Sequence, residues 1–413
     1  MPTAALPWGA WYQDTICRLE LPAGWNVDLL APADASPRGA EEISAALESP
    51  IESPPVRNLA VGCRSACVVV DDLARPTRAG DVLEPLLRQL SEGGLSSEAV
   101  RIVVATGSHG ALSEEQIRWK IGTEIASQCR VECHNCRDGL AGTGILYGKN
   151  ELRINRTFLE ADLKIAVGSV LPHSFAGNSG GAKLVLPGLA DIDSTARSHK
   201  FVQLGLRGGS DPNENRFRRE AEQLARQIGL KFIVCVLCDN KRQPTGIYAG
   251  DPVAAHRRAC AASRVACRTE LNATYDCAVL NAFPKDVDLV QAENAFVAWK
   301  TAKSAVVRDG GVVVLTTAAS EGLGGHGLFE PGGVSYRPPV KKRALGEREL
   351  WLYVPSLSTE DVHQLYWDGY PVFHELDRLR EALADRFPDG ANAAVFPCAP
   401  MQQVDDRRNS QNQ

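Results

Sequence analysis

Apolar and polar positions alternate along this chain in blocks rather than residue by residue. Short runs rich in Val and Ile, "ACVVVDD" (66–72), "VRIVVATG" (100–107) and "DLKIAVGSV" (162–170), each end in a polar or glycine-bearing loop. Uninterrupted apolar runs of that length mark strands buried on both faces of a parallel sheet. Amphipathic stretches such as "AGDVLEPLLRQLSEG" and "SEEQIRWKIGTEIASQ" lie between them and predict helices. Strand and helix in alternation predict βαβ units and a doubly wound sheet, whose ligands gather outside the carboxyl ends of the strands.

A second alternating block begins after residue 270: "YDCAVLNAFP", a helix over 287–306, "GGVVVLTTAA", helices around 360–385, and a last strand near "AAVFPCAP". The expectation is an α/β fold of two α/β domains with largely parallel, doubly wound sheets and an interdomain active-site cleft. Residues 1–268 are expected to form the N-terminal catalytic and cofactor-binding domain, 269–395 a C-terminal α/β domain, and 396–413 a strand end with a polar tail. The chain is expected to cross between domains within "ACAASRVACRTELNATYD". No internal repeat recurs at a fixed period.

Composition narrows the function. At 413 residues the chain exceeds one ordinary core, and 44% hydrophobic with 23% charged residues is the mix of a globular protein. A net charge of -5 offers no broad basic surface, so no nucleic-acid partner is expected. The N-terminus lacks a basic start followed by an apolar core, and no window reaches the roughly 18 apolar residues of a membrane span, so a cytoplasmic location without a membrane partner is expected. A homodimer is left open. Twelve cysteines are scattered without framework spacing, which favours buried thiols. Cys129, Cys133, His134 and Cys136 could form half a zinc site, and Cys235 with Cys238 has the gap of a knuckle. The second pair lies in a strand, which turns residues three apart to opposite faces, and buried thiols are expected at both clusters.

The loops after the first three strands carry Asp72 and Arg75, then His109, then His173. Pro76 holds Arg75 extended, and a guanidinium suits a carboxylate or phosphate. A neutral imidazole at each of two loops suits removal of a proton on one face of a carbon and delivery on the other. The segment Gly177-Asn178-Ser179-Gly180-Gly181-Ala182-Lys183 is not a P-loop, because Ala182 separates glycine from lysine and Leu184 follows. Its glycines and Lys183 suit a single phosphate, as in a mononucleotide. His199 ends a helical stretch, "DIDSTARSHK".

The set "DDLARPT", "ATGSHG", "HNCRD", "LPHSFAGNSGGAKLVLPGLA", "SHK" and "FIVCVLCDNKRQPTGIYAGDPVAAHRRAC" resembles the nickel-pincer nucleotide-dependent lactate racemase family, in order from residue 60 to 265. The resemblance implies nickel held in a pyridinium-3,5-bisthiocarboxylic acid mononucleotide, the nickel-pincer nucleotide. It implies His199 as the protein ligand to the metal, and Lys183 as the residue that contacts or covalently joins the cofactor. Asp72, Gly177, Ser179, Gly180 and Gly181 would complete the cofactor pocket. His109 and His173 would be the catalytic pair, with Arg75, Gln291 and Asn294 toward the substrate. The implied activity is inversion at C2 of a 2-hydroxy acid by hydride abstraction and return. In lactate-specific members the segment matching "PKDVDLVQAEN" has a tyrosine, a glutamine and, three residues on, a lysine. Here Val290, Gln291 and Asn294 stand there, so a substrate other than lactate is expected. Ala74 replaces the family's threonine in "DDLARPT".

Rival readings are a nicotinamide 2-hydroxy acid dehydrogenase, from "GLGGHG" at 322–327, a zinc hydrolase using His109, His173 and His199, and a non-catalytic nickel- or cofactor-binding homologue. In the first, "TTAASE" separates the apolar strand from the glycines and no clear helix follows them, and the second lacks a placed carboxylate base.

Overall fold

The computed structural model describes residues 1–12, 14–33, 35–204 and 208–406. The chain divides into two compact units, Ala35–Arg264 and Met1–Asp34 with Val265–Gln413. The first 34 residues, grouped by the sequence with the catalytic domain, thus belong with the C-terminal block. The reason is the strand Asn26–Leu29, which pairs in parallel with Asn392–Phe396. Its alternating polar residues gave no buried-strand signal.

In the unit Ala35–Arg264, six strands form one sheet: β1 (Ala66–Asp71), β2 (Val100–Ala105), β3 (Arg130–Cys133), β4 (Leu163–Ser169), β5 (Leu230–Cys238) and β6 (Pro244–Gly250). Their order is β6-β5-β4-β1-β2-β3, parallel throughout except for β6, which runs antiparallel to β5. β1 and β4 are adjacent, and the connections from them run to opposite sides, so the switch point of the sheet falls between their carboxyl ends. The core beneath includes Val68, Val70, Val104, Ile165, Val167 and Val234 against Leu83, Leu86 and Leu90 of α1 (Gly80–Glu92). Each such side chain contributes about 1.5–3 kcal/mol on burial.

The helix expected over 113–128 is two. α2 (Glu114–Ile121) starts at a capping box in which Ser113 Oγ accepts from Gln116 N, and it stops at Gly122, whose φ of 88° no helix continues. The helix Thr123–Gln128 follows. α3 (Ile192–His199), α4 (Arg216–Ile228) and α5 (Ala254–Ala266) carry the rest of the functional residues.

The second unit holds a six-stranded parallel sheet in the order Val372–Phe373, Glu349–Tyr353, Val307–Thr316, Tyr275–Asn281, Asn392–Phe396, Asn26–Leu29. The helix expected over 287–306 is instead a turn of α-helix, Leu289–Ala292, a 3-10 turn, Glu293–Ala295, and Phe296–Thr301. Asn294 tightens it by donating from Nδ2 to Gln291 O at 2.8 Å. Within the expected polar tail, Gln403–Asp406 pairs in parallel with Arg268–Leu271, while 407–413 lies outside the described residues. Among the described residues no helix is long and apolar enough to cross a membrane.

Candidate active site

The carboxyl ends of β1 and β4 are stitched together by one carboxylate. Asp71 Oδ2 accepts from Ser169 N at 2.8 Å and from Thr77 Oγ1 at 2.9 Å, while Oδ1 lies 2.6 Å from Lys120 Nζ. Lys120, projecting from α2 and wholly buried, also donates to the carbonyls of Asp72 at 2.9 Å and Arg75 at 3.3 Å. The loop that sequence alone placed after β1 is therefore locked in shape by a buried ammonium from another element. Burial pulls the Lys120 pKa down against the pull of Asp71 and Asp72.

Asp72 is the next residue, 6% exposed, and its Oδ2 is 2.5 Å from Nδ1 of His109 on the loop after β2. Burial raises its pKa, but His109, Arg75 and Lys120 outweigh that and leave it well below the usual carboxylate range. The carboxylate is thus an anion that orients the imidazole. The His109 turn is closed by its own N–H on Thr106 O at 2.9 Å, and Gly107 N reaches Gly188 O at 3.0 Å. Arg75, half-buried, donates from Nη1 to Ala74 O at 2.8 Å.

His173 follows β4 on a small hairpin, where it pairs with Gly177. Its ring meets Phe175 edge-on at 4.8 Å, and Phe175 meets His199 at 5.1 Å, so one phenyl ring spaces two histidines. His199 sits at the last turn of α3, whose start is capped by Asp191 accepting from Ser194 N at 2.9 Å. Its Nδ1 donates to Thr195 O at 2.8 Å, which puts the lone pair of the neutral ring on Nε2. Burial, with the charges of Lys183 and His109 nearby, brings its pKa down to about 4.

Lys183 lies in the 3-10 turn Gly181–Leu184. Burial first, then Arg75 and Arg218, hold its amine well below the usual lysine range, opposed by Asp72. Among the described residues no hydrogen bond or ion pair engages its Nζ. The glycines before it are demanded by the protein itself. At φ 71° a Cβ on Gly177 would meet Ser210 O at 2.8 Å, and at φ 59° one on Gly181 would meet His256 Cδ2 at 2.8 Å. Ser179 Oγ donates to Ser169 O at 2.7 Å and accepts from Leu171 N at 2.9 Å, so its hydroxyl is spent on folding the loop.

Asp72, Arg75, His109, His173, Lys183 and His199 all belong to one unit and are linked by these contacts and mutual fields. Gln291 and Asn294 belong to the other, where Asn294 Oδ1 accepts from Lys285 Nζ at 3.1 Å. Lys285, 1% exposed, was missed; a lysine between proline and aspartate carries no pattern that separates it from surface lysines. Also missed was α4, where Asn215 caps the helix by accepting from Arg218 N and donates to Phe175 O, both at 2.9 Å.

The cysteine clusters do not assemble: among the described residues no three His, Cys, Asp or Glu side chains converge to hold a metal. His134 instead contacts Ala190 O through Nε2 at 3.0 Å, with burial lowering its pKa to about 4. Cys235 and Cys238 are buried in β5. Nor do His109, His173 and His199 form a zinc triad. "GLGGHG" lies in irregular chain with no helix after it, unlike a dinucleotide loop.

A family profile described as the lactate racemase N-terminal domain matches residues 12–206. The lactate racemase of Thermoanaerobacterium thermosaccharolyticum is 28% identical over 292 residues, 70% of this chain and 67% of that one. That of Lactiplantibacillus plantarum is 29% identical over 299 residues, 70% and 68% of the two chains. Among solved structures, the lactate racemase apoprotein from T. thermosaccharolyticum superposes with a TM-score of 0.76 at 22% identity, covering 98% of this chain and 100% of that one. A protein from Thermotoga maritima matches with a TM-score of 0.68 at 16% identity over 91% and 100%. The fold is shared with both.

Proposed function

We propose that the chain is an isomerase of the lactate racemase family that inverts C2 of a 2-hydroxy acid with the aid of a nickel-pincer nucleotide. The observation that carries this reading is the anionic Asp72 held on His109 Nδ1, with His173 on a second loop of the same sheet edge. An imidazole backed by a carboxylate takes a hydroxyl proton at Nε2 and stabilises the cation it becomes. His173, on the second loop, serves as the partner acid or base for the other enantiomer. Racemisation requires both, because each enantiomer presents its hydroxyl to a different group.

The residues present fit the cofactor. A neutral imidazole whose Nδ1 is committed to Thr195 O offers Nε2 as a metal donor, and the carbonyl behind it sets ring orientation. Soft sulfur donors with one imidazole suit nickel. The Lys183 amine, its pKa held well below the usual lysine range, would contact the cofactor. When bound, the nucleotide supplies reversible two-electron chemistry at C2. Gly177, Ser179, Gly180 and Gly181 shape the loop that delivers Lys183 to it. Arg75 takes the substrate carboxylate, a planar anion suited to its fork. In the segment that the resemblance assigns to the substrate, Asn294 stands where lactate-specific members have a lysine, and its Oδ1 accepts from Lys285 Nζ at 3.1 Å. The loss of the family's tyrosine and lysine at Val290 and Asn294 favours a substrate other than lactate.

The test is incubation of cofactor-loaded protein with single enantiomers of lactate, longer 2-hydroxy acids and aldonates. Loss of optical purity without net oxidation is expected for at least one non-lactate acid. Stoichiometric NADH formed from added NAD, with no stereochemical scrambling, overturns the proposal in favour of a dehydrogenase. Retention of nickel and nucleotide with no turnover on any acid leaves only the binding-protein reading.

A further inference from the structure

On α4, Arg218 is fully buried in the first turn, and its guanidinium is turned to the glycine loop. Nη1 donates to Gly180 O at 2.9 Å and Nη2 donates to Asn178 O. From α5, His256 Nε2 donates to Ser179 O at 3.0 Å. Three consecutive carbonyls of the loop are therefore gripped from beneath by two buried side chains. Gly180 O also accepts from Lys183 N at 3.3 Å, so a single oxygen joins the guanidinium to the turn that carries Lys183.

The grip is itself braced. Glu222 of α4 receives both Nη groups of Arg257 of α5, at 2.6 and 2.8 Å, tying the two helices together. A buried guanidinium without a bonded carboxylate costs several kcal/mol unless carbonyl dipoles compensate it. Its positive charge is consequently still felt at the loop.

We infer that Arg218, backed by His256, is a positioning residue for the Lys183 amine: it fixes the glycine loop through its carbonyls and stands as a permanent positive charge beneath it. The inference rests on the reading of Lys183 as the residue that meets the cofactor. Among the described residues, the other charged or titratable groups near Lys183 include Arg75 and Asp72 from the loop after β1 and His199 from α3. Arg75 and Arg218 push the amine toward neutrality and Asp72 opposes them. Fixed geometry and a lowered amine pKa are what a lysine needs to meet the cofactor in a defined pose.

The experiment uses the full chain without cofactor. Lys183 is acylated with trace acetic anhydride across pH and followed by peptide mass spectrometry, alongside amide hydrogen exchange over residues 177–184. In Arg218→Met the acylation midpoint of Lys183 is expected to rise by about one pH unit, since a unit charge is lost nearby. In Arg218→Lys the midpoint is retained but the loop amides exchange roughly tenfold faster, because an ammonium cannot span both carbonyls. Unchanged midpoint and exchange in Arg218→Met overturn the inference. Should that variant not fold, parental exchange in Arg218→Lys overturns it equally. Absent racemisation in loaded parental protein, with these shifts intact, would count against the proposed function alone.

Discussion

Asp72 and His109 form a pair at 2.5 Å in which the carboxylate is buried and the imidazole faces the site from a neighbouring loop. Two loops on adjacent strands, separated by thirty-odd residues of chain, thereby act as one acid–base unit. The carboxylate fixes the tautomer and stabilises the imidazolium.

Asp72→Asn is therefore expected to lower kcat/KM by about 10²–10⁴-fold. The loss must be equal in both directions, because enantiomers are isoenergetic and the equilibrium constant cannot change. The loop should survive, since Lys120 holds the backbone carbonyl rather than the carboxylate of Asp72. Polarimetry from each enantiomer checks this. A loss under about threefold would remove Asp72 from the mechanism.

Lys120→Met should destabilise the unit by roughly 3–5 kcal/mol, because it strands the buried Asp71 carboxylate and frees two loop carbonyls. Adding Asp71→Asn to it should recover part of the loss. Urea unfolding midpoints of the two single variants and the double variant measure the coupling; strict additivity would mean the pair is not the lock described.

Lys285→Gln tests whether the ammonium beside Asn294 serves substrate binding. KM for the true substrate is expected to rise about 10- to 100-fold with kcat within about threefold, the pattern of lost ground-state binding. A fall in kcat at constant KM would assign Lys285 to another role.

His134 makes a pH prediction. Burial lowers its pKa from 6.5 to about 4, so between those values the unfolded chain holds a proton that the folded chain does not. Stability is complete above the unfolded value and falls as pH drops through that window, by up to ~1.4 kcal/mol per pH unit, with no further loss from this group below it. His134→Gln should flatten the dependence, seen as a narrowing gap between parent and variant in denaturant unfolding at neutral and acidic pH. Parallel profiles would show that His134 is not the group concerned.

The apolar runs at 66–72, 100–107 and 162–170 were enough to predict the parallel strands and the loops at their ends, because a strand buried on both faces needs an unbroken apolar code. Loop position then brought Asp72, Arg75, His109 and His173 into view, the glycine loop drew attention to Lys183, and the resemblance supplied the roles of Lys183 and His199. The strand Asn26–Leu29 stayed hidden because it lies at a sheet edge, where half its surface answers to water. The buried helpers stayed hidden too. Lys120, Arg218 and Lys285 are charged side chains at positions where local pattern predicts exposure, and only packing between distant elements supplies the carbonyls and carboxylates that make their burial tolerable. Strand code and loop chemistry are local properties and are written along the chain; compensation of a buried charge is a property of neighbours in space, and the tertiary structure alone decides it.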